Sequence, residues 1–180
     1  MEIKETPLQG VKVIKPIVFE DQRGHFFESY NKKEFEKEVG SHPTFVQDNY
    51  SRSKKDVLRG MHFQVNRPQG KLIRVTKGEI FDVVVDLRKD SKTFSKWFSM
   101  TLSEEKREQL WVPSGLAHGF IVISEYAEVA YKTTDYWYPD FEKTLLWNDP
   151  QVGIEWPSTK PLLSKKDSRG LKLSELESLL

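Results

Sequence analysis

Short alternating runs of apolar and polar residues dominate the chain. The clearest is Glu79–Leu87, where Phe81, Val83, Val85 and Leu87 share one face while Asp82 and Asp86 point the other way. A second run, Lys71–Lys77, precedes it, and the Lys77-Gly78 step between them reads as a tight hairpin turn. The same period predicts strands over Val11–Phe19, Phe26–Tyr30, Phe45–Tyr50, Val57–Gln64, Trp97–Leu102, His118–Ile123 and Glu128–Lys132. Helical signals are few. Asn31 reads as the cap of a helix, with Glu34 three residues on, Phe35 and Val39 on one face and Gly40 closing it. Ser103–Lys106 reads as one capped turn, and Ser174–Leu180 as a terminal helix. Many short strands with rare helices predict an all-β sandwich or barrel. Closing the sheet removes exposed edges and leaves a mouth in which a ligand can sit. No repeat, low-complexity tract or linker interrupts the 180 residues, so one domain over 1–180 is expected.

Composition adds mainly exclusions. Apolar residues make up 37% and aromatics 12%, enough for a folded core. The 28 Lys and Arg nearly cancel the 27 Asp and Glu, and no basic stripe points to a nucleic-acid partner. The absence of cysteine removes disulfides, thiolate metal sites and thiol nucleophiles together, and it fits a reducing compartment. The start, Met1-Glu2-Ile3-Lys4-Glu5, lacks the apolar run of a signal peptide, and no stretch approaches the ~20 apolar residues that span a bilayer. A cytoplasmic protein with no membrane partner is the expectation.

Candidate chemistry rests on a handful of polar residues. In Leu58-Arg59-Gly60-Met61-His62-Phe63-Gln64, alternation puts Leu58, Gly60, His62 and Gln64 on one face. His62 is then either a hydrogen-bonded core histidine or a general base, since imidazole titrates near neutrality at roughly 6.5. Pro113-Ser114-Gly115-Leu116-Ala117-His118 turns the chain and sets His118 at a strand start. Its Pro-x-Gly-x-x-His spacing resembles the second half-motif of the cupins, a jelly-roll superfamily. Metal-binding cupins carry a His-x-His pair in their first half-motif. The equivalent here is His62-Phe63-Gln64, one ligand short, whereas a catalytic metal typically takes three protein ligands or more. No metal or other cofactor is therefore expected. Tyr131, on the face shared with Val129, reads either as strand packing or as an acid. Asp167 lies in a polar tract that reads as a solvated loop, and no spacing ties it to His62.

Taken in order, many segments resemble the dTDP-4-dehydrorhamnose 3,5-epimerase family, dTDP-sugar epimerases of the cupin superfamily. They include Asp21-Gln22-Arg23-Gly24, Phe45–Asn49, Leu58–Gln64, Gln69–Arg74, Gly78–Val83, Pro113–Phe120, Tyr131-Lys132, Leu146–Asp149, Gly153–Pro157 and Leu163–Asp167. The resemblance covers nearly the whole chain and implies a cupin-type antiparallel jelly-roll barrel with a few short flanking helices. It implies a histidine base at His62, oriented by Asp167, and a tyrosine acid at Tyr131. Lys71 and Arg59 would lie beside the keto group and its neighbours, with His118 in the same cavity. Diphosphate and sugar contacts would fall on Arg23, Glu28, Gln47, Asn49, Glu142 and Lys166, and a thymine-stacking aromatic on Trp137, where tyrosine is commoner. The implied protein is a homodimer with crossing N-terminal segments, so that Arg23 and Glu28 serve the partner's site.

The implied reaction is cofactor-free inversion of C3 and C5 in dTDP-4-dehydro-6-deoxy-D-glucose through an enolate, in rhamnose biosynthesis. Rival readings are a C3-only or C5-only epimerase, a cupin keto-isomerase, a metal cupin and a non-catalytic sugar-nucleotide binding barrel. Simple alternation sets Arg59 opposite His62, so both reach one site only if the strand bulges, at Gly60.

Overall fold

The computed structural model describes residues 1–40 and 42–180. In chain order the elements are β1 (Glu2–Glu5), β2 (Lys12–Lys15), β3 (Phe19–Asp21), β4 (Gly24–Phe26), α1 (Lys32–Val39), β5 (Gln47–Lys54), β6 (Leu58–Gln64) and β7 (Lys71–Lys77). They continue with β8 (Glu79–Asp86), β9 (Trp97–Ser103), β10 (Gln109–Val112), β11 (Leu116–Val122), β12 (Tyr126–Thr133), β13 (Glu142–Thr144) and α2 (Leu173–Leu176). Strands pair antiparallel into two large sheets. One has the order β1-β2-β10-β7-β12-β5, the other β13-β6-β11-β8-β9, and β3-β4 is a separate hairpin. This is the expected jelly-roll barrel, flattened into two sheets.

Three apolar clusters hold it together. Ile73, Val75, Ile80, Val84, Leu110, Phe120 and Val129 fill the space between the sheets. On the outer face of the first sheet, Leu72, Trp111 and Ile14 pack under Phe35 and Val39 of α1. That helix forms as its local signals require: Asn31 Oδ1 accepts the Glu34 N–H, and Gly40 closes it at a φ of +73°. On the outer face of the second sheet, Val83, Val85 and Met61 lie under Val152, Leu173 and Leu176, so the last part of the chain is a cover. Asp149 pins this cover, its carboxylate accepting the N–H groups of Val152 and Leu173.

One sheet-level expectation needs correction. β7 and β8 do not pair; they belong to different sheets, and the Lys77-Gly78 step is a corner between them. Gly78 fits this corner because its φ is +74° and a Cβ there would collide with the Tyr126 carbonyl. The aspartate face of β8, set opposite Phe81, Val83 and Val85 as the alternation predicts, is buried. Asp82 and Asp86 are fully inaccessible, because the cover hides one face of the strand and the opposite sheet hides the other. Smaller departures follow from local context. The Val11–Phe19 run breaks after Lys15, the Phe26–Tyr30 run leaves the strand at Phe26, and the terminal helix is only Leu173–Leu176.

Candidate active site

The two sheets part at one end around a cavity of about 350 Å³. β6 and β11 build one wall and β5 and β12 the other. His62 stands directly across from His118 in the β6–β11 pairing, with Thr144 of β13 on its other side. Tyr131 faces in from β12, paired with Asn49 of β5 and Ile73 of β7. The imidazole and the phenol therefore approach the cavity from opposite sheets.

The bulge expected in β6 is present. Between His118 and Phe120 the register advances two residues on β11 but three on β6, from His62 to Arg59. Gly60 absorbs the extra residue at a φ of +134°, back to back with Gly119, whose Cα a Cβ on Gly60 would approach to 2.6 Å. The shift returns Arg59 to the cavity face beside His62. Its Nε–H donates to Ser53 Oγ at 2.9 Å.

Asp167, from the tract that reads as a loop, contacts His62. Its Oδ1 lies 2.6 Å from His62 Nε2, and its own N–H donates to Ser164 Oγ. The carboxylate is buried. Burial pushes its pKa up, but the hydrogen bond and charge of His62 prevail and hold it below the usual carboxylate value. A carboxylate so placed fixes the imidazole's orientation.

A second pair lies deeper. His118 Nε2 is 2.9 and 3.0 Å from the two oxygens of Asp82, both residues being buried. Burial raises the Asp82 carboxyl, opposed by His118 and then Lys71. Lys71 is buried too, its ammonium donating to the His62 carbonyl at 3.2 Å. Burial depresses it to about 8, against the pull of Glu142 and Asp82. Tyr131 moves the opposite way. Burial, helped by Glu142, raises its phenol above the ordinary value, so it stays protonated at neutral pH.

Polar groups continue to the mouth. Glu142 pairs with Lys166 at 2.9 Å; burial alone would raise its carboxyl, but Lys166 and His62 keep it low. Gln47 donates to Asn49 at 2.8 Å and accepts the Trp137 N–H at 3.1 Å. The Trp137 indole stands at the rim, 55% exposed.

Of the residues singled out in sequence, His62, Tyr131, Gln47, Asn49, Arg59, Lys71, His118, Trp137, Glu142 and Lys166 line the cavity, and Asp167 stands behind His62. Arg23 and Glu28 do not line it. Arg23 caps the exposed β3–β4 hairpin, paired with Asp21 at 2.6 Å, and Glu28 accepts from Asn31 beside α1. Asp82 escaped the sequence reading. Its signal was a charge inside a strand apolar on its other face, which calls for a buried partner. Among the described residues no three His, Asp or Glu cluster in a way that could hold a metal ion.

The dTDP-4-dehydrorhamnose 3,5-epimerase family profile matches residues 5–175. The Salmonella typhimurium enzyme of that name is 54% identical over 93% of each chain. Its Pseudomonas aeruginosa counterpart is 50% identical over 98% of each. A Legionella pneumophila dTDP-6-deoxy-D-glucose-3,5-epimerase, solved in complex with dTDP-4-keto-L-rhamnose, superimposes with a TM-score of 0.96. That structure is 45% identical, over 99% of this chain and 96% of its own. Profile, sequences and superposition agree with the cavity's composition, and the chain belongs to the dTDP-4-dehydrorhamnose 3,5-epimerase family.

Proposed function

We propose that the cavity inverts C3 and C5 of dTDP-4-dehydro-6-deoxy-D-glucose, giving dTDP-4-dehydro-L-rhamnose. The observation that carries this reading is the placement of His62–Asp167 and Tyr131 on opposing sheets across one cavity. The C4 ketone acidifies the hydrogens on both neighbouring carbons. His62 removes one, leaving an enolate with its charge on the C4 oxygen, and the resulting imidazolium is stabilised by Asp167. The Lys71 ammonium and Arg59 stabilise the oxyanion; loss of one such group typically costs ~10²–10³ in turnover. Tyr131 returns a proton to the opposite face, which inverts the centre without redox chemistry. Trp137 stacks on the nucleobase. Gln47, Asn49, Glu142 and Lys166 contact the sugar and diphosphate, and His118 lines the cavity floor.

We further propose one domain over 1–180 working as a homodimer, in which Arg23 and Glu28 reach the partner's cavity. The support is that both lie exposed and away from their own cavity, Arg23 at the tip of the β3–β4 hairpin and Glu28 beside α1. A doubly charged nucleotide sugar does not cross an apolar bilayer unaided, so we place enzyme and substrate together in the cytoplasm.

The test is NMR of the product formed from dTDP-4-dehydro-6-deoxy-D-glucose in deuterated water. The parent protein should invert and deuterate C3 and C5, at the same rate in excess EDTA. His62→Ala should lose exchange by at least ~10²–10⁴-fold. Tyr131→Phe should still exchange, with configuration largely retained, because only delivery to the far face is lost. A parent that yields no inverted, deuterated sugar sinks the reading. Inversion of both centres by Tyr131→Phe at the parental rate removes its role as the acid.

A further inference from the structure

Gln64 ends β6 with 4% of its surface exposed, and its carboxamide is committed to main chain. Nε2 donates to the Arg67 carbonyl at 2.7 Å and the Tyr136 carbonyl at 3.3 Å, while Oε1 accepts the Tyr138 N–H at 2.7 Å. Tyr136 and Tyr138 are the chain neighbours of Trp137, so one buried side chain grips both sides of the residue that carries the rim indole. The Trp137 N–H itself goes to Gln47. Other ties between the same two segments stop short of Trp137's neighbours or are exposed: Gln69 donates to the Asp135 carbonyl at 2.8 Å, and Arg67 pairs with Asp135 at 2.7 and 3.0 Å and lies over the Tyr138 ring. The indole is more than half exposed, and its one side-chain tie is to Glu142. The rest of its placement follows from the main chain beneath it, which Gln64 holds on both sides of Trp137.

We propose that Gln64 is a positioning residue that fixes residues 136–138 and so presents the Trp137 indole to the nucleobase. This rests on the reading of Trp137 as the nucleobase platform. With both N–H bonds and one oxygen lone pair used on main chain, Gln64 acts on the ligand through Trp137. Losing the carboxamide leaves two carbonyls and an N–H at the base of the rim without their partner, and the segment relaxes.

Calorimetric titration with dTDP of the parent, Gln64→Leu, Trp137→Ala and the double variant forms a cycle that tests this. Each single change should raise Kd roughly fivefold to tenfold, the scale of one aromatic–base stack. The double variant should bind within about twofold of Trp137→Ala alone, because both changes remove the same contact. With the keto-sugar, Gln64→Leu should raise KM by a similar factor and lower kcat less. If Gln64→Leu fails to fold, Gln64→Asn replaces it: it keeps the polarity but cannot reach all three partners. An unchanged Kd in the Gln64 variant, or losses that simply multiply in the double variant, overturns the proposal. If Trp137→Ala binds dTDP as the parent does, the nucleobase reading fails and the proposal falls with it.

Discussion

Lys71 is the residue through which the proposed mechanism can be tested by pH. Its ammonium donates to the His62 carbonyl, and burial holds its pKa at about 8 instead of the ordinary 10.5. If its charge stabilises the enolate, kcat/KM falls as pH rises through about 8. In Lys71→Arg, whose guanidinium stays charged, that alkaline limb moves upward even where the plateau drops. A pH–rate profile checks this, and a limb at the same pH in both proteins assigns it to another group. Stability runs the other way. Below about 8 the lysine is charged both folded and unfolded, and the burial cost is present in full; between about 8 and 10.5 only the unfolded chain stays protonated, so stability rises. Little of this microenvironment was legible in sequence. Lys71 entered by resemblance, and its neighbour Asp82 was missed because strand periodicity tells which residues share a face but not what covers that face.

Among the elements, β6 bears the most consequence. Its bulge puts Arg59 and His62 on one side, and both glycines at that point are needed, since Gly60 and Gly119 lie back to back. Gly60→Ala must bring a Cβ against the Gly119 backbone in a conformation at φ +134°. It should lower unfolding free energy by about 2 kcal/mol or more, read from urea denaturation, and lower turnover with it. A change within ~0.5 kcal/mol means the bulge tolerates a side chain. The bulge was legible because the resemblance puts Arg59 and His62 at one site, whereas strict alternation sets them on opposite faces. Helix α1 was legible for a plainer reason: cap, apolar face and closing glycine all lie within ten residues. The β7–β8 junction was not, because a glycine at positive φ suits a hairpin and a corner between sheets equally. The partner of each strand is decided by contacts far away in sequence.

At the scale of the whole molecule, the β3–β4 arm is the feature a single chain leaves unexplained. Ile17, Phe19 and Phe26 are 61%, 62% and 66% exposed there, an apolar display costly to leave in water. In the proposed homodimer a second chain would cover the arm, and Arg23 at its tip would enter the partner's cavity. Complementation tests this. Arg23→Ala and His62→Ala proteins, each nearly inactive alone, should regain activity when co-expressed. In the mixed dimer one cavity has its own His62 and receives an intact Arg23 arm. Recovery toward half the parental turnover per site is expected, whereas none in a mixed dimer of proven composition means Arg23 serves its own chain or neither.

The cover over the second sheet bears on the order in which the working molecule comes into being. Its turn at Asp167 supplies the carboxylate for His62 across 105 positions, and it is tied to the rest by short parallel bridges, Val57 with Leu162 and Leu145 with Leu171. A ribosome delivers β6 long before it delivers that turn. A nascent chain can thus hold both sheets, with the histidine in place, and still lack the group that orients it. Under the proposed mechanism, full reactivity toward ketones waits for the Asp167 turn, which follows the strands that wall the cavity.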